Sequence, residues 1–133
     1  MLYYNTVDKL LQSSLLQLMQ AKVFSNFRLV GGTSLSLQLG HRKSIDIDLF
    51  SDADYGTIDF KSITTYLEAN FSYVDHLDVD PGIGKSYLIG ANADNAVKLD
   101  VYYADPFMEP PIVIDTIRFA TVSEITAMKL DAV

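Results

Sequence analysis

The sequence contains no cysteine, and its 133 residues include only two histidines, His41 and His76. The absence of cysteine excludes disulfides, zinc–thiolate sites and thiol nucleophiles, and it gives no support for secretion. With so few histidines, a histidine-rich metal site is also disfavoured. The chain therefore offers no disulfide partner and no thiol chemistry.

Basic side chains are also few, since 10 lysines and arginines face 17 acidic residues and the formal net charge is −7. A chain this acidic lacks the broad basic surface of a typical nucleic-acid binder. A nucleotide or an RNA end is still admissible as substrate, because divalent cations can supply positive charge locally. Solubility is the simpler interpretation of the charge, and we favour it.

The sequence has no apolar run long enough to span a membrane. Its N-terminus has no basic region typical of a signal peptide, and Asp8 and Lys9 interrupt the first apolar run. We therefore predict a cytoplasmic protein without membrane contact. The length and the hydrophobic fraction of 49% fit a single globular domain over residues 1–133, and no repeat or linker divides it.

Hydrophobic periodicity and turn residues predict the order of elements along the chain. This order indicates an α/β or α+β domain in which helices flank a small mixed sheet. We predict helices over residues 5–24, 33–39 and 60–71 and after Val122, strands over residues 27–30, 44–50, 71–79, 85–91, 97–103 and 117–119, and turns at 80–82 and 92–95.

Helix ends are predicted from capping residues. Asn5 or Thr6 is expected to cap the first helix, Thr33 the second and Ser123 the last. The last helix carries apolar side chains that need a packing partner, and it stops abruptly: Ile125, Met128 and Leu130 precede Val133. We expect the chain to be part of a longer protein or a minimal version of one.

Residues 44–50 alternate strictly, with Ile45, Ile47 and Leu49 on one face and Asp46 and Asp48 on the other. Carboxylates two residues apart on a strand point the same way, about 6–7 Å apart, and they repel each other unless a cation lies between them. Magnesium takes oxygen ligands and suits such a pair. A solvated strand face is the alternative, although aspartate is a poor strand residue in so apolar a run.

Gly31, Gly32 and Thr33 follow one predicted strand and begin the next helix. Such a turn presents backbone N–H groups and the positive end of the helix dipole, which suits a phosphate group. Glycine lets a phosphate approach the backbone closely. An ordinary tight turn is the alternative.

Lys98 and Asp100 share one face of a later strand. If this strand pairs with the strand of Asp46 and Asp48, three carboxylates converge, as a two-metal site requires. Asp100 would then be a metal ligand or a general base, and Lys98 would neutralise phosphate charge. The alternative is a simple surface pair between Lys98 and Asp100.

Taken together, these segments resemble a known family. Residues 31–35 and 40–50 look like the first motif of the nucleotidyltransferase fold in the form carried by AbiEii-type proteins, the toxins of bacterial type IV toxin–antitoxin (abortive-infection) systems. Lys98-Leu99-Asp100 matches the second motif, Lys-x-Asp. Lys129 lies where the family has a third-motif lysine that helps to hold the nucleotide.

The resemblance implies Mg²⁺- or Mn²⁺-dependent transfer of a nucleoside monophosphate from an NTP to an acceptor hydroxyl. An RNA end is one expected acceptor, because some family members are thought to act on RNA ends. A cognate antitoxin is an expected partner. The implied metal ligands are Asp46, Asp48 and Asp100, and the implied nucleotide- and phosphate-binding residues are Gly31, Gly32, Thr33, Arg42, Lys98 and Lys129.

The sequence departs from the family pattern in two places. Gly31-Gly32 stands where many nucleotidyltransferases have Gly-Ser, and the chain stops before the C-terminal helical region with its fourth-motif aspartate. Two roles are open for Arg42. It binds a phosphate or a base, or it pairs with Asp46 or Asp52 to hold the loop, and we favour this second, structural role. We also expect structural roles for His41 and strand packing for Tyr102 and Tyr103, with base stacking by the tyrosines as the alternative.

Three functions remain open from the sequence. The first is a metal-dependent nucleotidyltransferase of the toxin type. The second is a catalytically inactive module of the same fold that binds a nucleotide or a partner protein, because the C-terminal region is missing. The third is a small-molecule nucleotidyltransferase, for instance one that modifies an antibiotic, because the acidic charge suits a cationic acceptor.

Overall fold

A mixed sheet of seven strands forms the centre of the part of the chain that the computed structural model describes, namely residues 2–40, 45–77 and 84–131, with only the backbone of 129–131. The strands are β1 Arg28–Val30, β2 Asp46–Ser51, β3 Tyr73–Leu77, β4 Gly84–Asn92, β5 Asn95–Tyr103, β6 Ile112–Ile114 and β7 Ile117–Phe119. The helices are α1 Lys9–Gln20, α2 Gly31–Leu39, α3 Phe60–Asn70 and α4 Val122–Asp131. The predicted class, helices around a mixed sheet, is confirmed.

The strands lie in the order β3-β4-β5-β2-β1-β7-β6, so β2 occupies the middle of the sheet. It runs parallel to β5 and antiparallel to β1. The predicted alternation holds within β2, where Ile47 and Leu49 are fully buried and the aspartates lie on the other face. Ile45 does not join the buried side as expected; it is 76% exposed because it precedes the first residue of the strand.

The main core lies where helices cover one face of the sheet. Alternate residues of β2 and β5 enter it, and they pack with apolar side chains of α1 and α3. The contacts of these helices come from the apolar stripe that their periodicity predicts. The helical contributions are Leu11, Leu15, Leu18 and Met19 from α1 and Ile63 and Leu67 from α3.

A second, smaller apolar cluster involves α4. Val30, Ala120 and Ile125 form its buried centre. Partly buried side chains pack around them: Leu35, Phe50, Phe107 and Met128. The apolar face of α4 for which the sequence showed no partner is therefore covered, at Ile125 and Met128, by this cluster.

The capping predictions were wrong in each case. Asp8 caps α1 by accepting a hydrogen bond from Leu11 N at 2.7 Å, whereas Thr6 donates to Tyr3 O. At α2, Val30 stands at the cap position without a side-chain bond. At α4, Thr121 Oγ1 accepts from Glu124 N at 3.1 Å. At α1 and α4 the capping side chain belongs to the residue directly before the helix, where it reaches a free N–H group of the first turn.

Boundaries differ from prediction mainly where turns divide a periodic segment. The predicted helix over 5–24 consists of a 3-10 turn Tyr4–Thr6, α1 and a 3-10 turn Lys22–Phe24. β6 was missed because its turn to β7 contains no glycine; Asp115 and Thr116 adopt φ of 53° and 68° instead. Residues 78–79 and the predicted turn at 80–82 lie outside the described residues.

The hairpin predicted at 92–95 is present between β4 and β5, where Asn92 Oδ1 accepts hydrogen bonds from Asp94 N and Asn95 N. A bulge between Gly90 and Asn92 shifts its register. None of the helices in the described ranges is both long and apolar enough to cross a membrane.

Candidate active site

The parallel pairing of β2 with β5 brings the predicted carboxylates side by side. In this register Asp48 lies opposite Asp100, and Asp46 lies opposite Lys98. The carboxyl groups of Asp48 and Asp100 are hydrogen-bonded to each other. Since two ionised carboxylates repel, this bond requires one proton between them.

The local field is dominated by negative charge. Burial raises the pKa of Asp48 to about 7, and the hydrogen bond to Asp100 and the charges of Asp100 and Asp46 act in the same direction. Lys98 opposes this shift. Its Nζ lies 3.6 Å from Asp100 Oδ2, and its side chain is 43% exposed. The predicted pairing of Lys98 with Asp100 is therefore present, at the solvent side of the carboxylates.

Ser86 on β4 is a site residue that the sequence did not reveal. It lies opposite Asp100, and its Oγ donates to Asp100 Oδ1 at 2.5 Å. Counting back from the turn at 93–94 without a bulge would pair Tyr87 with Asp100. The bulge between Gly90 and Asn92 moves the register by one residue, so Ser86 faces the carboxylate and Tyr87 is buried in the core. The hairpin was recognisable from the sequence, but the bulge was not.

Gly31 begins α2 directly beside Asp48. Its φ of +74° lies in the left-handed region, and a β-carbon at this position would overlap Asp48 Oδ2. The lack of a side chain at Gly31 thus leaves room for the Asp48 carboxylate, in addition to letting a phosphate approach the backbone. Gly31 and Gly32 are partly exposed in the first turn of the helix, where backbone N–H groups have no partner within the helix.

Thr33 has a different position from the one we expected for a phosphate ligand. It has no exposed surface, and its hydroxyl donates to the backbone oxygen of Asp46. This bond ties the first turn of α2 to the first residue of β2. Thr33 therefore fixes α2 and β2, the two elements that carry the site, relative to each other. Gly31 and Gly32, unlike Thr33, have exposed surface that a phosphate could contact.

Two of the predicted site residues lie wholly or partly outside the described part of the chain. Arg42 lies outside the described residues, as does His41. Lys129 lies on α4, but its side chain is not described. The nucleotide-binding roles of Arg42 and Lys129 rest on the family resemblance.

The donor set suits a divalent cation bound by two carboxylates. Within residues 2–40, 45–77 and 84–128, no group of three or more carboxylate or imidazole side chains is placed to hold a metal ion. The expected convergence of three carboxylates is thus not found among these residues. Asp46 lies two residues before Asp48 on β2, and its neighbour on β5 is Lys98 and not Asp100. Asp48 and Asp100 do fit the requirement of Mg²⁺, which is usually held by one or two carboxylates together with substrate phosphates.

The aromatic residues beside the carboxylates have mainly packing contacts, as expected. Tyr102 stacks on Phe50 with ring centroids 5.9 Å apart, and its hydroxyl lies 3.2 Å from Ser86 Oγ. The Tyr103 hydroxyl accepts hydrogen bonds from Gly56 N and Ile58 N, so it holds the turn before α3.

A separate cavity of about 350 Å³ lies at the other end of β2. Its lining includes Arg28, Ser51, Asp52 and Arg118, and none of the three carboxylates takes part. The candidate site is therefore defined by the carboxylates on the paired strands β2 and β5, and not by this cavity.

Three solved structures show which fold this is. JHP933 from Helicobacter pylori is 23% identical with a TM-score of 0.65, over 94% of this chain and 55% of its own. Another H. pylori structure is 24% identical with a TM-score of 0.61, over 96% and 57%. MenT4, a nucleotidyltransferase toxin of Mycobacterium tuberculosis, is 18% identical with a TM-score of 0.60, over 92% and 50%. The fold is that of the nucleotidyltransferases, and the chain spans about half the length of these structures.

The family follows from the sequence as a whole. The chain belongs to the AbiEii family, described as the nucleotidyl transferase toxin of type IV toxin–antitoxin systems, whose sequence model matches residues 14–133. The resemblance inferred from the glycine pair and the aspartates is thereby confirmed. No curated protein matches this sequence.

Proposed function

We propose that this chain carries the metal- and nucleotide-binding half of a nucleotidyltransferase, which moves a nucleoside monophosphate from an NTP to an acceptor hydroxyl. The observation that carries the proposal is the strand register that sets Asp48 opposite Asp100, beside the Gly31–Gly32 turn of α2. Acidic metal ligands next to the backbone N–H groups of a helix N-terminus are what a metal–triphosphate substrate needs.

The residues take the following roles in the proposal. Asp48 and Asp100 would hold a divalent ion, Mg²⁺ or Mn²⁺, and Asp46, two residues along β2, would be a further carboxylate ligand. Backbone N–H groups of Gly31 and Gly32 and the ammonium group of Lys98 bind phosphate oxygens. By resemblance, Arg42 and Lys129 contribute further contacts to the nucleotide.

The reaction forms a bond between the acceptor oxygen and the α-phosphorus and breaks the bond from that phosphorus to the bridging oxygen. Pyrophosphate leaves, and the hydroxyl proton passes to solvent or to Asp100 if that carboxylate acts as the base. The metal ion, when bound, neutralises phosphate charge and makes the attacking hydroxyl more acidic. The chain's own contribution is to align the reacting groups and hold the charges in place.

A binding experiment tests the site. Calorimetric titration of the chain with Mg²⁺ and each NTP should show binding that Asp46→Asn/Asp48→Asn abolishes or weakens strongly. Asp75→Asn/Asp94→Asn is the matched control, because it removes the same two charges from exposed positions on β3 and the β4–β5 turn. Equal affinities in the wild type and in Asp46→Asn/Asp48→Asn would rule the site out.

The acceptor is part of the proposal and needs its own test. Family membership favours a toxin with an RNA acceptor and a cognate antitoxin, in the cytoplasm where NTPs are abundant. The net charge of −7 favours a cationic small molecule instead, such as an aminoglycoside. Incubation with radiolabelled NTPs, total RNA and aminoglycosides separates the two, since the label appears in only one class of product.

The inactive-module alternative is addressed in the same assay. The chain spans about half of its structural neighbours, so binding without transfer would be the behaviour of a module of this fold. Labelled product formed by the 133-residue chain alone would exclude that alternative.

A further inference from the structure

The Asp100 carboxylate has a partner on each of its two oxygens. Ser86 Oγ donates to Oδ1 at 2.5 Å, and Lys98 Nζ lies 3.6 Å from Oδ2. Ser86 is only 2% exposed, so its hydroxyl is shielded from bulk water. A short bond from a buried hydroxyl to a carboxylate is among the stronger hydrogen bonds in proteins.

A second hydroxyl lies behind the first. Tyr102 Oη is 3.2 Å from Ser86 Oγ. Serine has a single proton to donate, and it is already given to Asp100, so the bond between the hydroxyls must run from Tyr102 to Ser86. The direction of the chain is therefore Tyr102 to Ser86 to Asp100, with each donor strengthening the next.

The outer end of this chain is fixed by packing. The Tyr102 ring stacks on Phe50 at an interplanar angle of 23°, and Phe50 packs against the second apolar cluster around Ile125 of α4. The aromatic pair thus restricts the orientation of the Tyr102 ring, and with it the position of its hydroxyl.

We propose that Ser86 and Tyr102 form a hydroxyl relay that positions Asp100 for the divalent cation. The inference rests on the proposed function, because it assigns the relay to that metal site. Neither hydroxyl touches the substrate; both are positioning residues. By holding Oδ1, Ser86 restricts rotation of the carboxylate and keeps Asp100 beside Asp48. A ligand oriented in advance binds its metal more tightly than one that is free to rotate.

The test compares three single variants of the full chain by Mn²⁺ binding, measured through water-proton relaxation without nucleotide. Ser86→Ala removes the contact with Asp100 and should weaken Mn²⁺ binding about 10-fold. Tyr102→Phe removes only the outer hydroxyl and keeps the ring, so a loss of about 3-fold is expected. Ser51→Ala is the control: Ser51 is equally buried, accepts from Ala53 N and lies at the far end of β2.

Thermal unfolding in EDTA separates positioning from general stability. A merely structural role would lower the melting temperature of Ser86→Ala while the folded protein kept the wild-type Mn²⁺ affinity, and that result would overturn the relay. If Ser86→Ala does not fold, Tyr102→Phe decides, and an unchanged affinity there also overturns it. Mn²⁺ binding by the wild type together with weaker binding by both variants supports the relay. A wild type that binds no Mn²⁺, alone or with NTP, overturns the proposed function as well.

Discussion

At the scale of single residues, Gly31 combines a backbone constraint with a steric one. Its φ is positive, and a β-carbon there would displace the Asp48 carboxylate. We expect Gly31→Ala to lose about 1–2 kcal/mol of unfolding free energy from the backbone alone. It should also weaken Mg²⁺–NTP binding about 10-fold or more, because a metal ligand is moved.

Gly56 is the control for this prediction. Its φ is +90°, and a β-carbon would meet nothing within 4 Å. Gly56→Ala should therefore show a similar loss of stability in urea unfolding without a loss of Mg²⁺–NTP affinity in calorimetry. The same affinity in both variants would mean that the space beside Asp48 is not needed for binding.

The raised pKa of Asp48 predicts how stability without metal depends on pH. In the unfolded chain Asp48 titrates near its ordinary value of 3.8, whereas burial beside Asp100 raises its pKa to about 7 in the folded protein. Between these values the folded state holds a proton that the unfolded state has released. The contribution of Asp48 to the unfolding free energy therefore decreases as pH rises from about 4 to about 7.

Urea unfolding in EDTA at pH 5 and pH 8 measures this contribution. The wild type should lose more unfolding free energy across that interval than Asp48→Asn, whose amide does not titrate and can still donate to Asp100. Parallel pH profiles for the two proteins would show that Asp48 is not protonated in the folded state.

At the scale of elements, α1 depends on a cap that its hydrophobic stripe does not indicate. Asp8 accepts from Leu11 N at 2.7 Å, which satisfies one of the free N–H groups at the start of the helix. Asp8→Ala should lower the unfolding free energy by about 1 kcal/mol, whereas Asp8→Asn keeps the acceptor and should be nearly neutral. Denaturant titration of both variants checks this, and equal losses would point to charge rather than capping.

The elements were predictable to different degrees for identifiable reasons. The alternation of β2 was readable because Ile47 and Leu49 are buried on one face only. The strand β6 was not, because it is three residues long and its turn uses Asp115 and Thr116 with positive φ in place of glycine. Short strands carry too few residues to show a period.

At the scale of the whole molecule, Arg118 joins segments that are far apart in sequence. From β7 its guanidinium donates to the backbone oxygens of Met19, Phe24 and Phe27, at 3.1, 2.6 and 3.0 Å. It thereby connects the sheet to the end of α1 and to the turn that follows. Partial burial lowers the pKa of Arg118.

We expect Arg118→Met to lower the unfolding free energy by about 2 kcal/mol, because three carbonyl groups lose a charged donor. Arg118→Lys keeps the charge but cannot reach three acceptors in one plane, so it should recover only part of the loss. Urea unfolding of both variants measures the difference. Full recovery by lysine would show that charge, and not the shape of the guanidinium, is what matters.

The sequence by itself determined the candidate carboxylates and the family. Aspartates within an apolar alternating strand, and a glycine pair before a helix, are local patterns that need no knowledge of the rest of the chain. The pairing partner of each aspartate was not local. The register between β2 and β5 joins residues about fifty positions apart, and it placed Asp48, not Asp46, against Asp100.

Only the tertiary structure decided which neighbours complete the site. A one-residue bulge in β4 turned Ser86 toward Asp100 and Tyr87 into the core, and successive residues of a strand point to opposite faces, so no intermediate arrangement exists. Likewise Gly31 met Asp48 because β1 and β2 pair side by side. The contacts of Ser86 with Asp100 and of Gly31 with Asp48 both depend on strand register. Register is set between distant segments, so it cannot be predicted from a short stretch of sequence.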